Sequence, residues 1–404
     1  MRIVILTQVY YPDTVSVSQH LSDLSERLSN EGHQVCVITS KYGYDTQEEY
    51  SAYEIRKNVK IIRVNQTNFD KTSFILRAVN FLTFNLSLLI KSLTFRGKVD
   101  LVIGTTSPPF SSLVGIIMTR LKKAEFCYWV MDLQPELAIE SGLIKKDSLA
   151  AKFFTILGNF VITRSSKIIS LDRFMTTYLI ARGANSSNMI EVPPWPVSED
   201  FYTGSRKDNP FRIENKFGSK TVVMFSGNHA FVHSLDTLLE SSKALSNNED
   251  ILFAFVGGGV RKKDVTIFKD ENKLSNIIQL PFQPRSTFHI SIASSDIQVV
   301  VMGDSQVGYT HPNKIYGAMF LGKPILYIGP PESHVSDILK NSEGNIEVKH
   351  GEPEELASAI TNFSKLDEKE IKSIGQNNRE YAEKNFTAKI ILDKIIDFLE
   401  SPLN

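Results

Sequence analysis

The stretch "MRIVILTQVYYPDTVSVSQHLSDLSERLSNEGHQVCVITS", residues 1–40, decides the fold. Two apolar runs, "RIVILTQVY" and "QVCVITS", flank a segment in which Leu21, Leu24 and Leu28 recur at the i, i+3, i+7 spacing of one helical face. Gly32 supplies the helix stop. Strands buried on both faces read as continuous apolar runs, so the pattern is strand, helix, strand within a parallel sheet. The opening apolar run is short, no small-residue cleavage site follows it, and it passes straight into a polar turn. It is therefore read as a first strand and not as a secretory leader.

Outward from residue 40 the same alternation continues through "VKIIRVN", "VDLVIGT", "AEFCYWVM", "SKIISL" and "NMIEVP". It stops at "VPPWPVSEDFY", where Pro193, Pro194 and Pro196 forbid a continuing ladder and mark a linker. A second series follows: "KTVVMFSG", "ILFAFVGGG", "NIIQLPF", "DIQVVVM", "KPILYIG" and "NIEVKH". The chain of 404 residues is long for one core, and two doubly wound, Rossmann-like α/β domains of about 200 residues each are expected. Their boundaries are placed at 1–197 and 198–384. Residues 385–404, with the amphipathic "TAKIILDKIIDFLES", are expected to form a helix crossing back to the first domain. Ligands of such sheets bind beyond the carboxyl ends of the strands, and two facing domains would enclose a cleft.

Composition narrows the class. Apolar residues make up 42% and charged residues 22%, as in soluble globular proteins. Residues 1–197 carry 22 Lys+Arg against 17 Asp+Glu, and residues 198–404 carry 23 against 28, so a neutral total hides a basic first half. That excess is compatible with acidic lipid or phosphate-bearing acceptors; a nucleic-acid partner is not expected. Cys36 and Cys127 lie in strand-like runs without metal-ligand spacing, as buried thiols of a reducing compartment would. No uninterrupted apolar run reaches membrane-spanning length, and the expectation is a cytoplasmic protein. Residues 71–98, "KTSFILRAVNFLTFNLSLLIKSLTFRGK", admit two readings: a core helix with basic ends, or a helix lying in a lipid interface at the inner face of the plasma membrane.

Polar residues gather at several strand ends. "MFSGNHAFVHSLDTLL" offers Gly227, Asn228 and His229 before a helix capped at Ser234, and a glycine there lets a ligand approach the backbone. "FVGGGVRKKD" repeats the arrangement with Gly257, Gly258 and Gly259 before Arg261; an ordinary βα turn explains it equally well. In "HPNKIYGAMFLGKPIL", His311, Pro312, Asn313 and Lys314 open a helix, where unpaired amides, the dipole and a cation can meet one phosphate-like group. No GxxxxGK[ST] and no Asp-x-Asp pair occur, so a diphosphate would be neutralised by side chains and dipoles, with no metal and no cofactor expected. In the first half, "YWVMDLQPELAIESGL" ends a strand at Asp132 with Glu136 one helical turn on, and "YYPDTVSVSQHLSDL" brings Ser16, Ser18, Gln19 and His20 to a helix start. For Asp132 a capping role and a catalytic role both stand.

On these residues the chain resembles the family-4 glycosyltransferases of the GT-B fold over essentially its whole length. It is similar to their colanic-acid-type branch through "SQHLSDLSERLSNEGHQVCVIT", "DLQPELAIESGL", "SGNHAFVHSLDTLLES" and "HPNKIYGAMFLGKPILYIG". The resemblance implies two Rossmann-like domains facing across a cleft, a nucleotide-sugar donor (a UDP-sugar) in the C-terminal domain, and a lipid-linked or saccharide acceptor on the N-terminal one. It also implies metal-free transfer with retained anomeric configuration, of hexosyl or N-acetylhexosaminyl type, in cell-surface polysaccharide or glycolipid synthesis. Carried over by position, Gly227, Asn228, His229, Pro312, Asn313 and Ile315 would hold the diphosphate. Gly257, Arg261 and Gln283, within the segments Val256–Arg261 and Pro281–Pro284, would border the nucleoside, and Asp132 falls beside the family's catalytic His position.

Three departures bear on activity. The family's Glu-x7-Glu pair is replaced by Tyr309 and Gly317, its Arg and Lys after the strand ending at Gly227 by Asn228 and His233, and its His before Asp132 by Met131. Phosphate duty then moves to Lys314, His311 and His229. Asp132, Lys314 and His311 are the catalytic candidates, Tyr309 borders the donor, and Ser16, Ser18, Gln19, His20 and Glu136 face the acceptor. Two other functions remain open on the same architecture: a degenerate nucleotide-sugar-binding or scaffold subunit, and a sugar-nucleotide epimerase. A dehydrogenase is disfavoured, since no GxGxxG follows the first strand.

Overall fold

Arg2–Leu6 (β1) and Gln34–Ser40 (β2) pair in parallel, with Ile3 opposite Val35 and Ile5 opposite Val37, around the helix Ser16–Asn30 (α1). A computed structural model describes residues 1–44, 46, 48–69, 74–108, 110–140, 142–196, 199–200, 202–230 and 234–402. Lys71 and His233 lie outside the described residues.

The first unit comprises Met1–Pro194, Gly308–His311 and Ala388–Asn404. Its remaining strands are Tyr53–Arg56 (β3), Val59–Val64 (β4), Leu101–Thr105 (β5), Glu125–Trp129 (β6), Lys167–Ser170 (β7) and Met189–Glu191 (β8), in the order β3-β4-β2-β1-β5-β6-β7-β8. All pairs are parallel except β3 with β4. The next helices are Phe74–Thr94 (α2), Ser111–Lys122 (α3), Glu136–Glu140 (α4), Leu149–Arg164 (α5) and Arg173–Ala181 (α6). Right-handed crossovers separate them by direction. The step from β1 to β2 runs one way along the sheet, whereas α2, α3 and α5 link strands running the other way and pack side by side, α3 in the middle. The two free cysteines are buried in β2 and β6.

The second unit comprises Trp195–Val307 and Pro312–Thr387. It alternates Pro210–Glu214 (α7), Thr221–Asn228 (β9), Asp236–Ala244 (α8), Ile251–Gly258 (β10), Lys262–Glu271 (α9), Ile277–Leu280 (β11), Arg285–Ala293 (α10) and Ile297–Val301 (β12). Lys314–Phe320 (α11), Ile325–Ile328 (β13), His334–Leu339 (α12), Ile346–Val348 (β14), Pro353–Phe363 (α13) and Glu368–Asn385 (α14) complete it. Its sheet is wholly parallel, in the order β11-β10-β9-β12-β13-β14. Alternate residues of β9 enter separate cores: Val223 and Phe225 pack with Phe253 and Phe255, Val222 and Met224 with Leu252 and Ala254. This two-sided burial is why the strands read as unbroken apolar runs.

Ala388–Glu400 (α15) returns to the first unit and packs on α1. Arg27 bonds Asp393 at 2.5 Å and His33 bonds Glu400 at 2.8 Å. Lys167, 1% exposed, caps the helix end by donating to the carbonyls of Phe398, Leu399 and Ser401. Compared with the expected boundaries, the first break moves from 197 to 194 and the last from 385 to 388, and residues 308–311 join the first unit. Bonds of Tyr309 and His311 to residues of the first unit account for that grouping.

Candidate functional site

In the second unit the adjacent ends of β9 and β10 are brought together by glycine. Gly227 (φ 125°), Gly257 (φ 133°) and Gly259 (φ 127°) all take conformations that side-chain-bearing residues rarely adopt. A Cβ on Gly257 would stand 2.0 Å from the Gly227 carbonyl oxygen, and one on Gly259 would stand 2.3 Å from Asn228 Oδ1. The backbone is thus held bare at the carboxyl edge of the sheet, where ligands of such sheets bind.

Lys314, the first residue of α11, reaches over this edge. Its Nζ lies 3.6 Å from the centroid of the Phe225 ring and 3.7 Å from where a Gly227 Cβ would be. That amine is buried and has no hydrogen-bond partner among the described residues. Burial lowers its pKa from 10.5 to about 7, so a nearby anion would draw it into the charged form. His229, fully buried, holds its Nδ1 at 3.2 Å from the Gly258 carbonyl, which can only accept, so Nδ1 carries the proton. Its Nε2 has no partner among the described residues. Burial, and secondarily the positive charge of Lys314, pushes the imidazole down to about 4, so it is neutral at physiological pH. Phe282, 59% exposed, sets its ring against Gly258, where a Cβ would meet it at 2.9 Å. The exposed ring offers a stacking face that residue-type reasoning did not single out.

The other residues expected at the donor fall into distinct situations. Arg261 pairs with Asp264 at 2.9 Å and Asp236 at 3.3 Å, and Gln283 donates to the Pro281 carbonyl at 3.1 Å. The Ile315 side chain is 0% exposed and belongs to the core with Tyr316 and Met319, so only its backbone could meet a ligand. Asn313 precedes α11 without a side-chain cap bond, and Pro312 accepts from the Ile315 amide at 3.4 Å. Ser234 does not cap the helix after β9; α8 starts at Asp236, and the Ser234 hydroxyl donates to the Asp236 carboxylate.

Tyr309 and His311, expected beside the donor, belong to the first unit. Tyr309 accepts from the Leu133 amide at 2.9 Å and packs edge-on against Tyr178. His311 donates from Nδ1 to Asp172 Oδ2 at 2.9 Å, with both side chains buried. Asp172 also caps α6, its Oδ1 accepting from the Met175 amide. These bonds explain why Gly308–His311 groups with the first unit, and they give His311 an established partner.

Asp132 follows β6 in the same unit. Thr106 Oγ1 accepts from the amides of Met131 at 3.2 Å and Asp132 at 3.1 Å, which fixes the loop carrying the acid. Desolvation by the surrounding loop raises its carboxyl to about 6, although the residue itself is exposed. That exposure decides its chemistry, because a solute can reach the acid. Thr105, Thr106, Phe110, Tyr128, Gln134 and Phe154 line a cavity of about 450 Å³ beside this loop. Glu136, expected at the acceptor, is instead buried, its Oε1 taken by Arg182 and the Tyr178 hydroxyl. At α1, Ser18 donates to the Asp13 carbonyl at 2.9 Å, Gln19 to that of Thr14 at 2.5 Å, and Ser16 lies 3.3 Å from the buried His20. Short-range bonds of these residues stitch the loop after β1 to its helix.

No family model matches the chain. It is 25% identical to the protein named "Probable glycosyltransferase WbjE" of Pseudomonas aeruginosa over 317 residues, covering 78% of this chain and 77% of that one. It is 21% identical to WcaI of Escherichia coli K12, named for colanic acid biosynthesis glycosyl transfer, covering 80% and 82%. Among solved structures, Anabaena HepE in complex with UDP-glucose superposes with a TM-score of 0.74 at 14% identity over 100% of both chains. The chain has the GT-B fold, and the relatives it resembles in sequence are named as glycosyltransferases, one of them for colanic acid biosynthesis.

Proposed function

We propose that this GT-B protein is a glycosyltransferase that moves a sugar from a UDP-sugar to a lipid-linked or saccharide acceptor during cell-surface polysaccharide or glycolipid synthesis, with retention and without a metal. The observation that carries the reading is the buried Lys314 amine, over the Phe225 ring and without a hydrogen-bond partner among the described residues, beside the bare backbone of Gly227. A cation in that position is complete only when an anion meets it, and the departing nucleoside diphosphate is such an anion. His229, neutral, offers Nε2 as a hydrogen-bond acceptor to a donor hydroxyl. The Phe282 ring would stack on the nucleobase. Asp132, with a carboxyl near 6, is a stronger base than an ordinary carboxylate and would orient or deprotonate the acceptor hydroxyl. The relative named for colanic acid biosynthesis supports the setting, and the UDP-glucose bound to HepE supports the donor class.

Calorimetry with UDP and UDP-sugars on wild type and Lys314→Met tests the reading. The variant should lose about 100-fold in turnover with weaker nucleotide binding, as removal of one preorganised donor to a developing anion does. Unchanged binding and turnover in the variant would sink the assignment.

A further inference from the structure

We infer that the outer face of α2, α3 and α5 is a docking surface for an anionic lipid bilayer. On α2, Leu82, Leu86, Ile90 and Leu93 follow one another at i, i+4, i+8 and i+11 and are all exposed, Leu82 by 70%, while Phe84 and Leu88 of the opposite face are fully buried. On α5, Leu149, Phe153, Ile156 and Phe160 repeat the pattern at i, i+4, i+7 and i+11, with Leu149 85% exposed. Between them α3 adds exposed Ile117 and Leu121. A solvent-facing helix normally turns charge outward and apolar residues inward. Here both sides of α2 are apolar, one packed into the unit and the other exposed.

Charge selects the occupant. The three helices carry Arg77, Lys91, Arg120, Lys122, Lys152 and Arg164, and no Asp or Glu. Arg120 and Arg164 each lie 5.8 Å from the Phe160 ring centroid, so cations edge the apolar surface itself. Acids occur only beyond the helices, as at Asp147 before α5 and at Asp100, which pairs with Lys98. Apolar residues ringed by cations fit the acyl boundary and headgroups of an anionic membrane, whereas a second copy of the same face would oppose like charges. The buried inner face of α2 keeps the helix flat on the unit, so the mode is peripheral and not spanning. The surface stands on its own residues; only its purpose, bringing the enzyme to a lipid-borne acceptor, rests on the proposed function.

Sedimentation of the full chain with phosphatidylglycerol-containing vesicles and with pure phosphatidylcholine vesicles tests the inference. Binding should be at least about tenfold tighter to the anionic vesicles and weaken as salt rises. Leu86→Glu with Phe153→Glu, both at exposed positions, should cut it about tenfold or more. Ile213→Glu, an exposed apolar position of the second unit, should leave it unchanged. UDP binding by calorimetry should be the same in all these variants, so loss of nucleotide binding would count against the proposed function and not against this surface. No binding to anionic vesicles, equal binding to both lipids, or binding indifferent to the double variant would overturn the inference. So would self-association through the face without vesicle binding.

Discussion

Lys314 binds fewer protons in the folded chain than in the unfolded one between about pH 7 and 10.5, because burial depresses it. Stability therefore rises with pH across that window: the cost of burying the ammonium is full below about pH 7, shrinks as pH rises and is gone above about 10.5. Nucleotide binding works in the opposite direction. A diphosphate diester favours the ammonium and raises its pKa, so donor binding at pH 8 should take up protons. Calorimetry in buffers of different ionisation enthalpy should show that uptake and a weakening of affinity above pH 7, and Lys314→Met should abolish both. That Lys314 stands at a helix start was legible, because a stop-and-start of this kind is a local pattern. Thr106 and Asp172 were not, since each acts on a segment far away in sequence: 26 residues separate Thr106 from Asp132, and 139 separate Asp172 from His311. The burial of Glu136 was hidden for the same reason, its partner Arg182 lying 46 residues on.

At the scale of elements, β9 and β10 run side by side to their last residues because Gly257 has no side chain to strike Gly227. Gly257→Ala would place a methyl 2.0 Å from a backbone oxygen at a positive φ, and backbone cannot swing aside as a flexible side chain would. We expect it to cost about 1–3 kcal/mol in denaturant unfolding and to weaken UDP binding, while Gly351→Ala, with open space around its Cβ position, should cost less and leave UDP binding alone. The alternating strands and helices were readable because burial on both faces writes itself into the sequence as apolar runs. The antiparallel β3 was not: "YEIR" is an exposed edge strand whose side chains are only partly covered, so it carries no such run. The glycine triplet looked like any turn until the approach of two backbones gave it a reason.

At the scale of the molecule, the first unit is assembled from three stretches of chain, and α15 is held there by the carbonyls that Lys167 caps and by Asp393 and Glu400. A chain ending at Thr387 would take away those acceptors together with the helix that shields Lys167, and would lose the apolar burial of Ile391, Ile395 and Leu399, each such side chain being worth about 1.5–3 kcal/mol. Thermal unfolding of that variant should show an early transition for the first unit, with UDP binding in the second largely kept; a single unshifted transition would contradict this division. The linker was visible as a run of prolines and the returning helix as an amphipathic segment with no strand after it. Residues 308–311 were invisible because their attachment depends on contacts with distant parts of the chain.

The place of α15 in the chain also orders events on the ribosome. Everything the first unit needs up to Pro194 emerges early, yet the helix that covers α1 follows the whole of the second unit. At about 5–20 residues per second, the nascent half-molecule waits roughly 10–40 seconds with an uncovered apolar strip. The first unit becomes finished only when that late segment arrives.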